Sequence, residues 1–92
     1  MTASGNRQTA AVTRPATSTT TATLVTGGGK ATRYIFNDSA NKLYVLLGAG
    51  TASVTNFTFL LLTQTGTVVE GFGGAIQGIL DTGTGNAQMT EW

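Results

Sequence analysis

The chain is predicted to be all-β: a small antiparallel β-sandwich or jelly-roll-like barrel of about seven strands, preceded by an extended N-terminal arm. Three observations lead there. Threonine occurs nineteen times in 92 residues, and with Val, Ile, Phe and Tyr it fills short runs of strand-favouring residues. Clusters of Gly, Asn and Asp, which tolerate left-handed backbone angles, interrupt those runs at about ten-residue spacing. No segment sustains the period of an amphipathic helix.

Residues 1–18 read as the arm, and 19–92 as the β-sandwich domain. The arm is rich in small and polar residues, Thr and Ala above all, holds the single proline (Pro15), and has no apolar periodicity. Such a stretch does not offset its own ordering entropy. Two readings stay open: a frayed tail, or an extended arm that orders on a neighbour. In the second, Arg7 and Arg14 supply charge-assisted hydrogen bonds and Pro15 stiffens the junction with the domain.

Strands are expected near 19–26, 31–37, 42–48, 52–62, 67–72, 75–81 and 86–92. Gly27-Gly28-Gly29, Asn37–Asn41, Gly48-Ala49-Gly50, Gln64-Thr65-Gly66, Gly73-Gly74 and Thr82–Gly85 separate them. Alternation puts Tyr34 and Phe36 on one face and Arg33 and Ile35 on the other. It puts Leu43, Val45 and Leu47 opposite Tyr44 and Leu46, and Phe57, Phe59 and Leu61 opposite Leu60 and Leu62. Two strands are therefore apolar on both sides, so a second sheet or a neighbouring subunit must cover what the core does not. Leu46, Leu60 and Leu62 are the candidates for a self-association surface. Trp92 should face away from Met89 and contact a strand or a subunit.

Composition narrows the function. Five basic and four acidic residues give a net charge of +1, too sparse for the dense basic face that nucleic acid requires. Before Asn37 the charges are all basic; from Asp38 onward four acids meet one lysine, Lys42. This asymmetry suits self-association or docking on an acidic protein. No cysteine and no histidine means no disulfide staple, no thiolate metal site and no imidazole base. A short chain without staples often relies on partners for stability. The apolar runs Leu43–Leu47 and Phe57–Leu62 are far shorter than a membrane span, and no export signal is visible at the start. Synthesis in the cytoplasm, no membrane partner and no cofactor are expected.

The sharpest chemical motif is Ile79-Leu80-Asp81-Thr82-Gly83, which resembles the active-site loop of aspartic proteases. Those enzymes pair two like-charged carboxylates that share a proton. In short retroviral-type subunits the loop lies in the front half, whereas here only nine residues follow Gly83. A β-turn is the simpler expectation. Gly27-Gly28-Gly29-Lys30-Ala31 lacks both the first glycine and the Ser/Thr of a phosphate loop. Asn37-Asp38-Ser39 and Asn56-Phe57-Thr58 fit the glycosylation pattern, which matters only after export. A non-enzyme is expected.

Residues 20–92 resemble the short β-rich virion proteins of tailed bacteriophages. The matching pieces are Asn37-Asp38-Ser39, Leu-Tyr-Val-Leu-Leu-Gly at Leu43–Gly48, Gly-Ala-Ile-Gln-Gly-Ile at Gly74–Ile79, and Gly-Asn-Ala-Gln-Met-Thr-Glu at Gly85–Glu91. The chain departs from that pattern at Leu80, where an aromatic often stands, and before Val68, where a proline is common. Head decoration, fibre and tail roles all stay open on this pattern. The resemblance implies a symmetric, often trimeric β-protein on a virion lattice. The reading that follows is a capsid decoration (cement) protein, a homotrimer on the capsid surface whose partner is the major capsid protein. Alternatives are a head-fibre or tail-fibre attachment module and a carbohydrate-binding β-module using Tyr34, Tyr44 or Trp92.

Overall fold

The fold is known from a computed structural model that describes residues 10–28 and 32–92; Arg7 and Lys30 lie outside the described residues. The described chain is all-β, with no helix. Its nine strands are β1 (Ala11–Thr13), β2 (Ala16–Thr17), β3 (Ala22–Val25), β4 (Thr32–Asp38), β5 (Leu43–Leu47), β6 (Phe59–Leu61), β7 (Gly66–Glu70), β8 (Ile76–Leu80) and β9 (Gly85–Glu91). They form two antiparallel sheets. Sheet A has the order β1-β9-β4-β7, with β2 also on β9, and sheet B the order β3-β8-β5-β6.

The period-2 alternation decides what each sheet buries. Sheet B turns Leu43 and Val45 of β5, Ile76 and Leu80 of β8, Leu61 of β6, and Leu24 of β3 inward. Sheet A meets them with Ile35, Val69, Ala87 and Met89 in one continuous core. Burying each of the larger side chains contributes about 1.5–3 kcal/mol. Gly78 leaves room for Leu24, since a Cβ there would lie 2.9 Å from Leu24 Cδ1 and the leucine would have to shift.

The inward face of β4 is only partly apolar. Arg33, Ile35 and Asn37 are all fully buried, while Tyr34 and Phe36 turn to the outer face of sheet A. Each polar residue ties down a loop. Arg33 Nη1 donates to Phe72 O (2.8 Å) and Gly74 O (2.9 Å), and Nη2 to Gly73 O (3.4 Å). Its Nε lies 3.1 Å from Glu91 Oε2, close enough for ion pairing but too poorly aligned for a hydrogen bond. At the other end of the strand, Asn37 Nδ2 donates to the carbonyls of Asn41, Leu61 and Leu62 at 2.7, 3.1 and 3.1 Å. Asn37 Oδ1 accepts from Ser39 Oγ at 2.7 Å. A strand of sheet A thereby fixes the end of β6 in sheet B.

The structure differs from the sequence reading in two places. Residues 11–17, assigned to the arm, run along β9 as part of sheet A, and residues 1–9 lie outside the described residues. The pairing uses main-chain groups, which leave no trace in side-chain periodicity. The strand expected over 52–62 shrinks to Phe59–Leu61. Residues 51–58 instead close a loop, in which Ser53 and Asn56 exchange main-chain hydrogen bonds and Asn56 Nδ2 donates to Thr51 O at 2.9 Å. Phe57 thus leaves the face it was expected to share with Phe59 and Leu61.

Asp38, on the outer side of β4, holds the N-terminal segment by charge. Arg14 Nη1 is 2.6 Å from Asp38 Oδ2, and Gln64 Nε2 donates to Oδ1 at 3.2 Å. The Arg14 hydrogen bond, helped by Gln64, lowers the Asp38 pKa below the ordinary carboxylate value. Its stabilising contribution is present above the unfolded-state pKa and is lost as pH falls through the lowered folded value. A carboxyl titration followed by NMR should find Asp38 below the ordinary range, and Arg14→Gln should move it back up. An unchanged value in that variant would contradict the assigned cause.

Candidate interaction surface

Apolar side chains stay exposed at Val12 and Val68 on sheet A, and as a cluster on the outer face of sheet B. Period-2 geometry makes Tyr44 and Leu46 face outward because Leu43 and Val45 are buried. The register then aligns Leu60, Tyr44 and Ile79 across β6, β5 and β8. Phe57, carried back by the loop, sets its ring against Tyr44, with centroids 4.8 Å apart at 71°. This edge-to-face contact suits the ring quadrupoles. Phe57 and Leu60 are each 39% exposed and Leu62 is 55% exposed. Beyond Leu62 lies a recess of about 340 Å³ bordered by Lys42, Thr63 and Asp81. Contiguous apolar surface of this kind marks interaction sites more often than scattered single residues do.

The neighbouring part of the same face is covered by the chain itself. The loop between β5 and β6 comes down on it, with the Ala52 N–H donating to Thr21 Oγ1 at 3.1 Å and Ala52 almost fully buried. Gln77 is buried there and accepts a hydrogen bond from Thr23 Oγ1 at 3.0 Å. Leu46, expected on a partner surface with Leu60 and Leu62, is half-buried beside Gly50 of this loop.

The remaining candidates do not join this surface. Arg14 is engaged by Asp38 and by Gln88 Oε1 (3.0 Å) on sheet A. Pro15 sits at the break between β1 and β2, where its carbonyl accepts from Ala87 N–H at 3.0 Å. Trp92 is half-buried just past β9, its main-chain N–H donating to Thr32 O at 3.0 Å. Arg7 lies outside the described residues. Tyr34 and Tyr44 face outward from different sheets, so they do not form one sugar-stacking platform. Phe57 and Tyr44 were missing from the sequence-derived patch. Only the Tyr44–Leu60 register and the loop closure bring them together.

Asp81-Thr82-Gly83 forms the turn from β8 to β9, and Asp81 is exposed. Gly83 adopts φ +75°, a left-handed angle that accounts for the glycine by turn chemistry. Among the described residues, no three Asp or Glu side chains come together as a metal-binding group. Comparison with known proteins finds no matching family model, no matching curated protein and no matching solved structure.

Proposed function

We propose that this is a structural, non-enzymatic virion protein of the decoration type, which associates with copies of itself and docks on a major capsid protein lattice. The observation that carries the reading is the row of Phe57, Leu60 and Leu62 around the half-buried Tyr44, which gathers three of the six exposed large hydrophobic residues of the described chain. The virion context rests on the sequence resemblance over residues 20–92. Strand order supports it at the level of fold analogy. If β1 and β2 count as one strand, there are eight, and successive strands change sheet at every connection except β5 to β6. We read that order as a jelly roll, an architecture used by viral capsid and lectin domains.

Such a protein works by mass action. A ligand that binds only the assembled lattice stabilises it in proportion to occupancy, and several weak footprints on one oligomer add avidity. A trimer on the capsid surface is the arrangement we favour, with synthesis in the host cytoplasm. A fibre-attachment role uses the same surface chemistry at another place on the particle.

Rebinding to stripped particles tests this. Wild-type protein should restore occupancy over the capsid shell by electron microscopy and raise the temperature at which the particle opens. Leu60→Glu/Leu62→Glu should weaken rebinding at least ~10-fold, the equivalent of about 1.4 kcal/mol. Equal rebinding by that variant, or density confined to one vertex, would count against a decoration role through this face.

A further inference from the structure

The first strand is only weakly engaged by the packing of the rest of the molecule. β1 and β2 both pair with β9 in one unbroken antiparallel register, from Ala11↔Glu91 to Thr17↔Gly85. They are one edge strand interrupted at Arg14-Pro15. What holds this strand is polar and modular. Besides the main-chain pairing, Arg14 contacts Asp38 and Gln88, and the Asn86 side-chain amide reaches the carbonyls of Arg14 and Pro15 at 3.4 Å.

Its apolar anchoring is slight. Val12 is 57% exposed and Ala16 is exposed; Thr17 is the one buried side chain of the strand, and its hydroxyl finds no hydrogen-bond partner among the described residues. Beside the strand, a groove of about 430 Å³ opens between Thr13–Pro15 and Leu24–Thr26 at the end of β3. The strand is therefore not packed down onto the core along this side. It connects to β3 through Ser18–Thr21, a short polar corner that crosses from sheet A to sheet B.

From these features we propose that residues 11–17 are an exchangeable strand, and that in the oligomer each copy lays this strand along β9 of a neighbouring copy. The receiving surface is unchanged: the β9 edge, with Asp38, Gln88 and Asn86 in the same places to receive the neighbour's Arg14. Exchange therefore conserves every contact of the strand and alters only the Ser18–Thr21 corner. Exchange of an identical element is a low-cost route to closed oligomers. The inference rests on the self-association reading but uses sheet A, not the apolar face of sheet B.

The absence of cysteine makes the test direct. Val12 and Thr90 are opposite one another in the register, as are Ala16 and Asn86. Cα atoms of directly paired strand residues are close enough for a disulfide. The oligomer fraction of V12C/T90C, refolded and then mildly oxidised, should lose its 9.4 kDa band on non-reducing denaturing gels and run as covalent multiples of it. A16C/N86C provides the same readout if the first pair perturbs folding. Mixing singly substituted V12C and T90C chains before refolding should also give linked pairs. Disulfides formed only within single chains of an oligomer would overturn the exchange and leave self-association standing. A monomer with internal disulfides at all concentrations would overturn both.

Discussion

Replacing Arg33 by methionine should cost about 3–5 kcal/mol of folding stability, the range found when one partner of a buried charge pair is removed. The guanidinium is fully buried at the end of β4 and donates to three consecutive carbonyls of the Phe72–Gly74 loop. Methionine fills much of the volume but leaves those carbonyls without donors and Glu91 without its counter-charge. At roughly 4–8 °C per kcal/mol for a domain of this size, thermal unfolding should come at least ~12 °C earlier. Glu91→Gln is the informative comparison. The Arg33 bonds to the loop survive its loss, but the buried guanidinium is left without a counter-charge, so its cost should exceed the ~1 kcal/mol of an exposed pair while staying below that of Arg33→Met. Equal effects of the two substitutions would mean that the ion pair, not the carbonyl cradle, dominates.

Asn37→Asp should be the second most damaging single change, although it alters only one atom's chemistry. In the native protein the side-chain amide donates to the carbonyls of Asn41, Leu61 and Leu62, and its oxygen accepts from Ser39. An ionised carboxylate there would face three acceptors and no compensating donor beyond Ser39. About 2–4 kcal/mol is expected, from lost hydrogen bonds and an unpaired buried charge. The sign of the pH dependence identifies the cause. Such a carboxyl has a folded-state pKa above its unfolded value, so the variant should recover stability as pH falls and its protonated form donates to one carbonyl. Asn37→Ala should show no such recovery. Chemical denaturation of the three proteins near neutral and near pH 4 makes the comparison.

These two residues also show where the sequence was legible and where it was not. Alternation placed Arg33 and Ile35 on one face of β4, opposite Tyr34 and Phe36. Ordinary hydrophobicity would bury the aromatic side, but the structure buries Arg33, Ile35 and Asn37. The reason is long-range, because the loop carbonyls that satisfy Arg33 lie about forty residues away. The β-rich character and the approximate position of each strand from β3 to β9, apart from the much shorter β6, were readable from Gly and Asn breakers and local composition. The N-terminal strand was not, since its order comes from main-chain pairing with β9 at the far end of the chain. Of the candidate surface, Leu60 and Leu62 were visible as apolar residues on the second face of a strand. Phe57 was not, because the Ser53–Asn56 loop takes it out of the alternation.

Sedimentation equilibrium of wild type beside Leu60→Glu/Leu62→Glu decides whether the row on sheet B is an interface. Wild type should be an oligomer at micromolar concentration, a trimer in the favoured arrangement. The variant should shift toward monomer, with the folded β-sheet circular dichroism retained. The substituted positions are solvent-exposed, so the charges add repulsion at the interface without disturbing the core. A wild-type protein that remains a clean monomer throughout, or a variant that assembles as tightly as wild type, would contradict that interface.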